Sequence, residues 1–458
     1  MKRFYKILIS ILTATFLISG CSNNTNNNQN NNNNDNNNNN NNNNDKKQVL
    51  KVAALESAYG TEGWKEVIAK FEEANNVEVK LTIDKKLEDI ISPQMKSGDY
   101  PDVIHLGVGR TPALTETLIK ENALRDLTHI LDMNVPGENV TVRSKINSDF
   151  LSTYVTNPYS DGKTYLMPMF YGPCGLFYNA GLFEQKGWDV PTTWDEMWAL
   201  GDKAKAEGIA LFTYPTTGYF DAFFYALLNE TGGPEFFKRA MNYEEGIWDT
   251  DEARKAFDIV AKLAQYTEST TVANANDSNY LKNQQLVLDG KALFMPNGSW
   301  VVGEMTEAPK PEGFKWGFMA LPAMDAGSDR YSFTFFEQVW SPESAENKDL
   351  ADKFIAYLYS DEAAKIFIEK SASPAVQPIT GVDSMLESEE DKLIYGIYEN
   401  ENVKAALGGF AATDPVEGVS MAESLFASID SVVNGDKTVE DWVNDVRTAS
   451  DALRAALK

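Results

Sequence analysis

The pattern of apolar residues between positions 48 and 106 constrains the fold most. Three short segments are predicted to be strands: a buried one at 48–55, one with alternating polarity at 77–83, and a third at 101–106. They alternate with two helical segments. In the first helical segment Trp64, Val67, Ile68 and Phe71 fall on one helix face. The order strand, helix, strand, helix, strand indicates a parallel α/β sheet. The second helix, at 86–96, contains Pro93 and is therefore predicted to be broken or kinked there.

A second informative stretch runs from residue 162 to residue 198. Its first part, 165–179, is apolar and aromatic, and prolines and glycines interrupt it, which predicts two extended pieces joined by a break. Thr193 and Glu196 then have the spacing of a capping box, so a helix is predicted to start there. A broken extended run followed by a capped helix indicates a chain that crosses from one lobe to another.

Size and charge narrow the function classes. The chain has 458 residues, which is too many for one compact core, so two or more domains are expected. The formal net charge is −26, and no cationic cluster stands out. Nucleic acids and anionic membrane surfaces are therefore poor partners, because no net positive field attracts the protein to phosphates.

The N-terminus has the features of an export signal. Lys2, Arg3 and Lys6 precede an apolar run at 7–18 that is too short for a transmembrane span. Cys21 follows directly after small residues, and this arrangement resembles the bacterial lipoprotein signal. We expect a signal peptide at 1–20 and a lipid-modified, palmitate-bearing Cys21. An ordinary signal peptide with a chance cysteine is the alternative.

The segment after Cys21 is compositionally unusual. Residues 23–44 are almost entirely asparagine. Such a tract has no apolar surface to bury and is predicted to be disordered. Residues 21–47 are therefore expected to tether a folded domain to the membrane.

Motifs for catalysis or metal binding are largely missing. The two cysteines leave Cys174 without a disulfide partner if Cys21 carries lipid, and a buried structural thiol is expected. The two histidines, His105 and His129, are expected at a strand end or on the surface. Gly107-Val108-Gly109 lacks the third glycine of a dinucleotide-binding motif, so no cofactor is predicted. No metal is predicted either, because the sequence has no cluster of cysteines and histidines. A carboxylate pair of the kind found in glycosidases stays open, because sequence gives no distances.

Aromatic and polar residues gather in loops at predicted strand ends. A pyranose has an apolar face that stacks on an aromatic ring, and its hydroxyls pair with carboxylate, amide and guanidinium groups. Ligands of open α/β sheets also lie at the carboxyl ends of strands. The pattern predicts a sugar site, for which the candidates are Tyr59, Glu62, Arg110, Tyr171, Tyr214, Tyr219, Asp221, Asn297, Trp300, Phe335, Phe336 and Glu337.

Four segments carry a family resemblance: 100–110 (YPDVIHLGVGR), 175–196 (GLFYNAGLFEQKGWDVPTTWDE), 286–300 (LVLDGKALFMPNGSW) and 347–367 (NKDLADKFIAYLYSDEAAKIF). With them the chain resembles family 1 of the extracellular solute-binding proteins of carbohydrate ABC transporters. Within that family it is most similar to binding proteins of the N-acetylglucosamine and chitobiose type.

The resemblance implies an α/β, periplasmic-binding-protein-like fold with a ligand cleft between two lobes and three hinge crossings. It implies a first lobe of residues 48–168 plus 336–372 and a second of 169–335 plus 373–458. It also assigns Trp300 as a stacking residue and Arg110 and Tyr219 as matches to family site positions. Tyr171 is expected at the cleft floor, where the family often has an acid. No counterpart of the late stacking tryptophan of maltodextrin-binding proteins is present, and Met421 and Phe426 occupy the corresponding helix.

The expected function is therefore that of a non-enzymatic, cell-surface substrate-binding component of a carbohydrate ABC importer. It would capture a mono- or oligosaccharide between the lobes and deliver it to the permease transmembrane subunits. The expected state is a monomer, attached by its lipid to the extracytoplasmic face of the cell membrane. The alternatives are an anchored carbohydrate-active enzyme of the glycoside hydrolase type and a sugar receptor or adhesin without a transport role.

Overall fold

The computed structural model of the chain describes residues 47–57, 59–110, 113–151, 153, 155–371 and 374–457. The predicted signal peptide, Cys21 and the asparagine tract lie outside these residues. Within the described ranges, no helix is both long and apolar enough to cross a membrane. Nine strands form one mixed sheet: β1 (Val49–Leu55), β2 (Glu78–Asp84), β3 (Val103–His105), β4 (Met167–Asn179), β5 (Ala210–Phe212), β6 (Ala292–Gly298), β7 (Trp316–Met319), β8 (Arg330–Trp340) and β9 (Val403–Ala406).

Helices cover much of the remaining described chain. They are α1 (Glu62–Asn75), α2 (Leu87–Lys96), α3 (Leu114–Lys120), α4 (Val142–Lys145), α5 (Ala180–Lys186), α6 (Trp194–Ala206), α7 (Phe220–Met241, interrupted at Gly233), α8 (Asp251–Ala264), α9 (Thr271–Asn274), α10 (Tyr280–Leu288), α11 (Val301–Glu304), α12 (Lys348–Leu358), α13 (Asp361–Lys370), α14 (Glu389–Tyr395), α15 (Ser428–Asn434) and α16 (Val439–Arg454). Short 3-10 turns occur at Thr128–Asp132, Ser148–Phe150, Thr217–Tyr219, Ile247–Asp249, Val382–Met385 and Gly396–Glu399, and a π-helical turn at Ala422–Ala427.

The N-terminal α/β pattern is confirmed. β1 pairs in parallel with β2 on one side and with β3 on the other. The predicted face of α1, with Trp64 and Phe71 among its members, is buried. The predicted break at Pro93 is wrong, because α2 continues through it to Lys96. Proline removes one hydrogen bond, to the carbonyl of residue 89. Asp89 is exposed, so water can satisfy that carbonyl.

The middle of the sheet consists of two long antiparallel strands, β4 and β8. The predicted extended run is one strand, and its pairing with β8 shifts between Pro168 and Tyr171, so the irregularity falls in the region where a break was predicted. Beside it, the backbone N–H of Tyr171 donates to the carbonyl of Val376, at 3.0 Å. Three stretches of chain that are distant in sequence therefore run side by side at this point.

The buried apolar side chains form two clusters. The first surrounds β1–β3 and includes Phe71, Ile104 and Phe354, and the second surrounds α7, α8 and α16 and includes Phe257 and Trp442. β4 contributes Phe170 to the first and Leu176 to the second. β8 contributes Trp340 to the first cluster and Phe333 to the second. The buried residues between positions 375 and 403 pack in the first cluster, although the expected lobe boundaries assign them to the second lobe. The residue boundaries of the lobes stay a prediction.

The helix signals after the central strands are partly confirmed. Thr193 and Glu196 form the predicted capping box at the start of α6, and α6 buries Trp194, Met197 and Leu200. The described part of the region 382–458 combines helices with β9 and irregular segments. β9 pairs in parallel with the N-terminal end of β8. This pairing makes the segment a strand, and no local sequence pattern reveals it.

Candidate functional site

A small cavity lies at the end of β6, beside β4 and the start of α7. Its volume is about 210 Å³. β6 is buried throughout and delivers Asn297 to the cavity before the chain turns to Trp300. A Cβ on Gly298 would lie 2.1 Å from the indole of Trp300, so glycine is what allows the indole to fold back over the strand end. The lining residues are Cys174, Gly175, Thr216, Gly218, Tyr219, Asp221, Ala222, Phe223, Ala226, Pro296, Asn297, Trp300, Leu321 and Phe335.

Three aromatic rings form one wall of the cavity. Trp300 is in contact with Tyr219, with ring centroids 6.0 Å apart, and with Phe335, at 5.6 Å. The indole Nε1–H of Trp300 donates to the hydroxyl of Tyr219 at 3.1 Å. Phe335 is 45% exposed, an unusually high value for a phenylalanine within a central strand. Such a wall offers flat apolar faces of the kind that stack on a sugar ring.

Two polar side chains complement the aromatic wall. The Asn297 side chain is 2% exposed, and its Oδ1 accepts a hydrogen bond from the backbone N–H of Gly298 at 2.9 Å. Among the described residues, none accepts a hydrogen bond from its Nδ2. Burial raises the pKa of Asp221 to about 6, although the backbone N–H of Ala222 donates to its carboxylate and opposes the shift. The cavity therefore offers a buried donor and a desolvated acceptor, and a buried polar group without a partner is costly.

A much larger groove adjoins the cavity. It measures about 1490 Å³ and shares Asp221 and Phe335 with the small cavity. Members of both core clusters line it, such as Leu166 of the first and Phe333 of the second. The groove therefore follows the junction of the two clusters. The other lining residues lie at 108–109, 113, 116–117, 119–121, 155, 158, 160, 225, 238, 242, 334, 336, 338, 408–412, 414 and 457.

The structure thus brings five of the predicted site residues together in the small cavity: Tyr219, Asp221, Asn297, Trp300 and Phe335. Phe336 lies in the groove next to them and packs on Phe150, with ring centroids 5.5 Å apart. The other six predicted residues line neither space.

Two of those six are tyrosines of the core. The hydroxyl of Tyr171 donates to the carbonyl of Tyr395 at 2.9 Å, and its ring contacts Phe150 and Tyr398. Tyr171 is only 3% exposed, so its side chain is packed inside the first cluster. Tyr214 is fully buried, and its hydroxyl donates to Asp430 at 2.6 Å. Their contact with a ligand stays a prediction.

Tyr59 and Glu337 lie on another side of the first cluster. Nε2 of the buried His105 is 2.9 Å from Oε2 of Glu337, and the His105 ring packs between Trp64 and Phe170. Tyr59 also packs on Phe170, and burial, together with the charge of Glu337, raises its pKa. His105 is therefore the last residue of β3, one of the two positions expected for it, and its side chain is buried.

Glu62 and Arg110 have partners of their own. Glu62 is exposed in the first turn of α1 and pairs with Lys65 at 2.7 Å. Arg110 forms an ion pair with Glu88, whose side chain is almost fully buried in α2. Removing one partner of such a pair leaves an uncompensated buried charge, which gives Arg110 a structural role whatever else it does.

Other features of the site were not foreseen. Cys174 is a buried thiol, as expected, but it also lines the small cavity, and burial raises its pKa well above the usual value. The segment 408–412 lines the groove, and its Phe410 stacks on Tyr243, with ring centroids 5.3 Å apart. The glycine pair before Phe410 was a usable signal, since Gly408 has a φ of +108° that other residues rarely adopt. The described residues hold no His, Cys, Asp and Glu cluster that could bind a metal ion.

Comparison with known proteins identifies the family of the chain. A protein-family model described as bacterial extracellular solute-binding protein matches residues 66–394. The diacetylchitobiose binding protein of Streptomyces coelicolor is 23% identical over 341 residues, which cover 71% of this chain and 69% of that protein. A multiple sugar-binding protein of Streptococcus mutans is 24% identical over 323 residues, or 68% of this chain and 71% of its own length.

Solved structures show the same fold. The bacterial solute receptor AcbH, described as exclusively preferring β-D-galactopyranose, superposes with a TM-score of 0.69 at 18% identity. The superposition covers 89% of this chain and 98% of that one. The expected α/β fold with two lobes is thereby confirmed, and the matching family is one of binding proteins, not of enzymes. This chain belongs to the bacterial extracellular solute-binding proteins.

Proposed function

We propose that this protein is the substrate-binding component of a carbohydrate ABC importer. It captures a sugar between its lobes and delivers it to the permease without chemical turnover. The observation that carries the proposal is the small cavity, where Trp300, Tyr219 and Phe335 meet Asp221 and Asn297. Flat apolar faces beside a buried donor and acceptor are the complement of a pyranose.

The ligand class follows from the same residues together with the relatives. Both relatives described above carry names of sugar-binding proteins, and one is named for diacetylchitobiose. We therefore propose N-acetylglucosamine oligosaccharides as the first class to examine. Burying the donor Nδ2 of Asn297 without a partner is unfavourable, and an acetamido or hydroxyl oxygen would satisfy it.

The mechanism that we propose is hinge closure. The open form admits the sugar into the groove, and the ring stacks on the aromatic wall. The two lobes then close and exclude water, which strengthens the polar contacts. The closed form docks on the permease. Small-angle scattering tests this step, since an unchanged radius of gyration with a saturating ligand would contradict it.

A thermal-shift screen tests the function itself. The panel contains N-acetylglucosamine, diacetylchitobiose, and xylo- and malto-oligosaccharides. A ligand at about 100 times its dissociation constant adds about 2.7 kcal/mol of stability. The Trp300→Ala variant is the control, because it should fold but lose the shift. Release of shorter sugars from an oligosaccharide would instead indicate an enzyme.

The attachment to the membrane is a separate proposal. It rests on Cys21 and the residues before it, which resemble a lipoprotein signal. We propose that the protein is a monomer held by this lipid on the extracytoplasmic face. In cells fed labelled palmitate, the wild-type chain should carry label in the membrane fraction. Cys21→Ser should carry none, and equal labelling of both would contradict the anchor.

A further inference from the structure

We propose that Gln284 is a positioning residue of the site, which holds the indole of Trp300 in place through Glu304. Gln284 lines neither the small cavity nor the groove, and its side chain is fully buried in α10. Its effect on sugar affinity rests on the proposed function, whereas its effect on the orientation of the indole does not.

The segment after Trp300 is too short to hold the indole by itself. α11 comprises only Val301–Glu304, and it begins directly after Trp300. Its end is bonded to its start, because the backbone N–H of Glu304 donates to the carbonyl of Trp300 at 3.0 Å. A single helical turn is marginal without tertiary contacts, because several residues are ordered for one hydrogen bond. The orientation of Trp300 therefore depends on what holds both ends of this turn.

The two ends of α11 are held in different ways. Val301, at its start, is buried in the first cluster. Glu304, at its end, is exposed, but its Oε2 accepts a hydrogen bond from Nε2 of Gln284 at 2.8 Å. The Oε1 of Gln284 has no donor among the described residues. Burying an amide with one end unpaired is costly, and this cost is explained if the other end has a function.

The helix that carries Gln284 is itself firmly held. The neighbouring Asn283 is fully buried, and its Nδ2 donates to the carbonyls of Tyr214 and Thr271, both at 2.9 Å. Because both carbonyls belong to segments outside α10, a shift of the helix would break buried hydrogen bonds. Gln284 therefore gives Glu304 a fixed point of attachment.

Glu304 also lies close to the aromatic wall. Burial and, to a smaller extent, the negative charge of Glu304 raise the pKa of Tyr219 to about 12. The hydroxyl of Tyr219 accepts the indole N–H of Trp300 at 3.1 Å. Trp300 is thus held at two points, by Tyr219 at the indole and by the tethered turn at the backbone. Loss of the tether should therefore change the orientation of the ring.

Fluorine NMR tests the orientation without any sugar. In protein labelled with 5-fluorotryptophan, the Trp300→Phe variant identifies the resonance of Trp300. Glu304→Ala removes the acceptor of Gln284 at an exposed position, so the variant should fold and should shift or broaden this resonance. Asp289→Ala is the matched control, because Asp289 is also an exposed acid and accepts from the next residue of α10, Gln285, at 2.7 Å. It should leave the resonance unchanged.

Exchanging the two groups separates the hydrogen bond from a general effect on packing. Gln284→Glu places two carboxylates side by side and should disturb Trp300 as Glu304→Ala does. The double variant Gln284→Glu with Glu304→Gln restores a donor and an acceptor in reverse order, and it should regain the wild-type resonance. In titration calorimetry with diacetylchitobiose, each single variant should bind about fivefold more weakly, and the double variant should bind within about twofold of the wild type.

The outcomes differ for the two proposals. An unchanged Trp300 resonance in folded Glu304→Ala would overturn this inference, and so would a double variant as disturbed as Gln284→Glu alone. If circular dichroism shows that Gln284→Glu does not fold, the comparison of Glu304→Ala with Asp289→Ala decides. A disturbed resonance in a protein that binds none of the sugars of the thermal-shift panel would support the positioning role and count against the proposed function.

Discussion

Trp300 donates its indole N–H to the hydroxyl of Tyr219 at 3.1 Å, and this hydrogen bond fixes the orientation of the ring that contacts both other members of the aromatic wall. Tyr219 lies at the end of the turn before α7, whereas Trp300 follows β6. The bond therefore joins two segments that are 81 positions apart. Because half-buried side chains otherwise sample several rotamers, the bond pre-organises the site for stacking.

The first prediction concerns this bond. Tyr219→Phe keeps the ring and removes the acceptor, so the indole should lose its fixed orientation. We expect sugar affinity to fall about fivefold, which corresponds to the net contribution of about 1 kcal/mol of one hydrogen bond. Titration calorimetry measures the change. Trp300→Phe should cost more, because it reduces the stacking surface, and equal affinity of all three proteins would show that this wall is not a binding surface.

The second prediction concerns Tyr171, which was expected at the cleft floor. Because it is buried among Phe150, Tyr395 and Tyr398, Tyr171→Ala should lower the free energy of unfolding by about 3–5 kcal/mol. Tyr171→Phe removes only the hydrogen bond to the Tyr395 carbonyl and should cost about 1 kcal/mol. Urea unfolding measures both.

Phe335→Ala provides the opposite pattern and so serves as the control. Its ring is exposed, and its loss should weaken binding with little effect on stability. If Tyr171→Ala instead left stability unchanged and abolished binding, Tyr171 would be a ligand contact and the packing role would be wrong.

These contrasts show how far the sequence could predict the site. Trp300, Asn297, Tyr219 and Asp221 were identifiable because they follow predicted strands, and the ends of neighbouring strands converge at one edge of a sheet. The N-terminal α/β unit was identifiable because the spacing of its apolar residues is a local property of the sequence.

The buried tyrosines Tyr171 and Tyr214 depend on distant partners. Tyr214 donates to Asp430, which is 216 positions away, and Tyr171 to a carbonyl 224 positions away. Local sequence could not tell these buried residues from Tyr219, because all three are aromatic residues near predicted strand ends. The groove-lining segment with Phe410 was missed although its glycine pair was a usable signal, because its place in the groove depends on the packing of Phe410 on Tyr243.

The third prediction concerns the pH dependence of binding. Burial raises the pKa of Asp221 to about 6 in the free protein. A sugar hydroxyl that donates to this group favours the ionised form and should lower its pKa in the complex. Affinity should therefore be highest above about pH 7 and fall about tenfold by about pH 5, where the free carboxyl is mostly protonated.

Asp221→Asn is the matched variant for this test. It should bind more weakly at neutral pH, because the charge-assisted hydrogen bond is lost, and its affinity should not change between about pH 5 and about pH 7.5. Titration calorimetry at several pH values compares the two proteins. A pH-independent affinity of the wild type would show that Asp221 does not contact the ligand.

The fourth prediction concerns Glu230 in α7, a half-buried acid outside the site. Burial raises its pKa to about 9, and this effect outweighs both the hydrogen bond from the backbone N–H of Tyr331 and the nearby charge of Arg330. The Arg330 guanidinium does little to lower the pKa of Glu230, because its N–H groups donate to the carbonyls of Leu321 and Ala320 instead. The folded state therefore keeps a proton on Glu230 over a pH range where the unfolded chain has released it.

The sign of the effect on stability follows. A folded-state pKa above the unfolded value adds stability that is complete below about pH 4.5 and is lost as the pH rises through about 9. Glu230→Gln keeps the acceptor for Tyr331 but cannot ionise. Its free energy of unfolding should therefore decline less between about pH 5 and about pH 9 and exceed that of the wild type by about 2–4 kcal/mol near pH 8. Urea unfolding across this range measures the difference, because every other titratable group is the same in both proteins. Parallel stability curves would mean that Glu230 is ionised in the folded protein and that Arg330 compensates its charge.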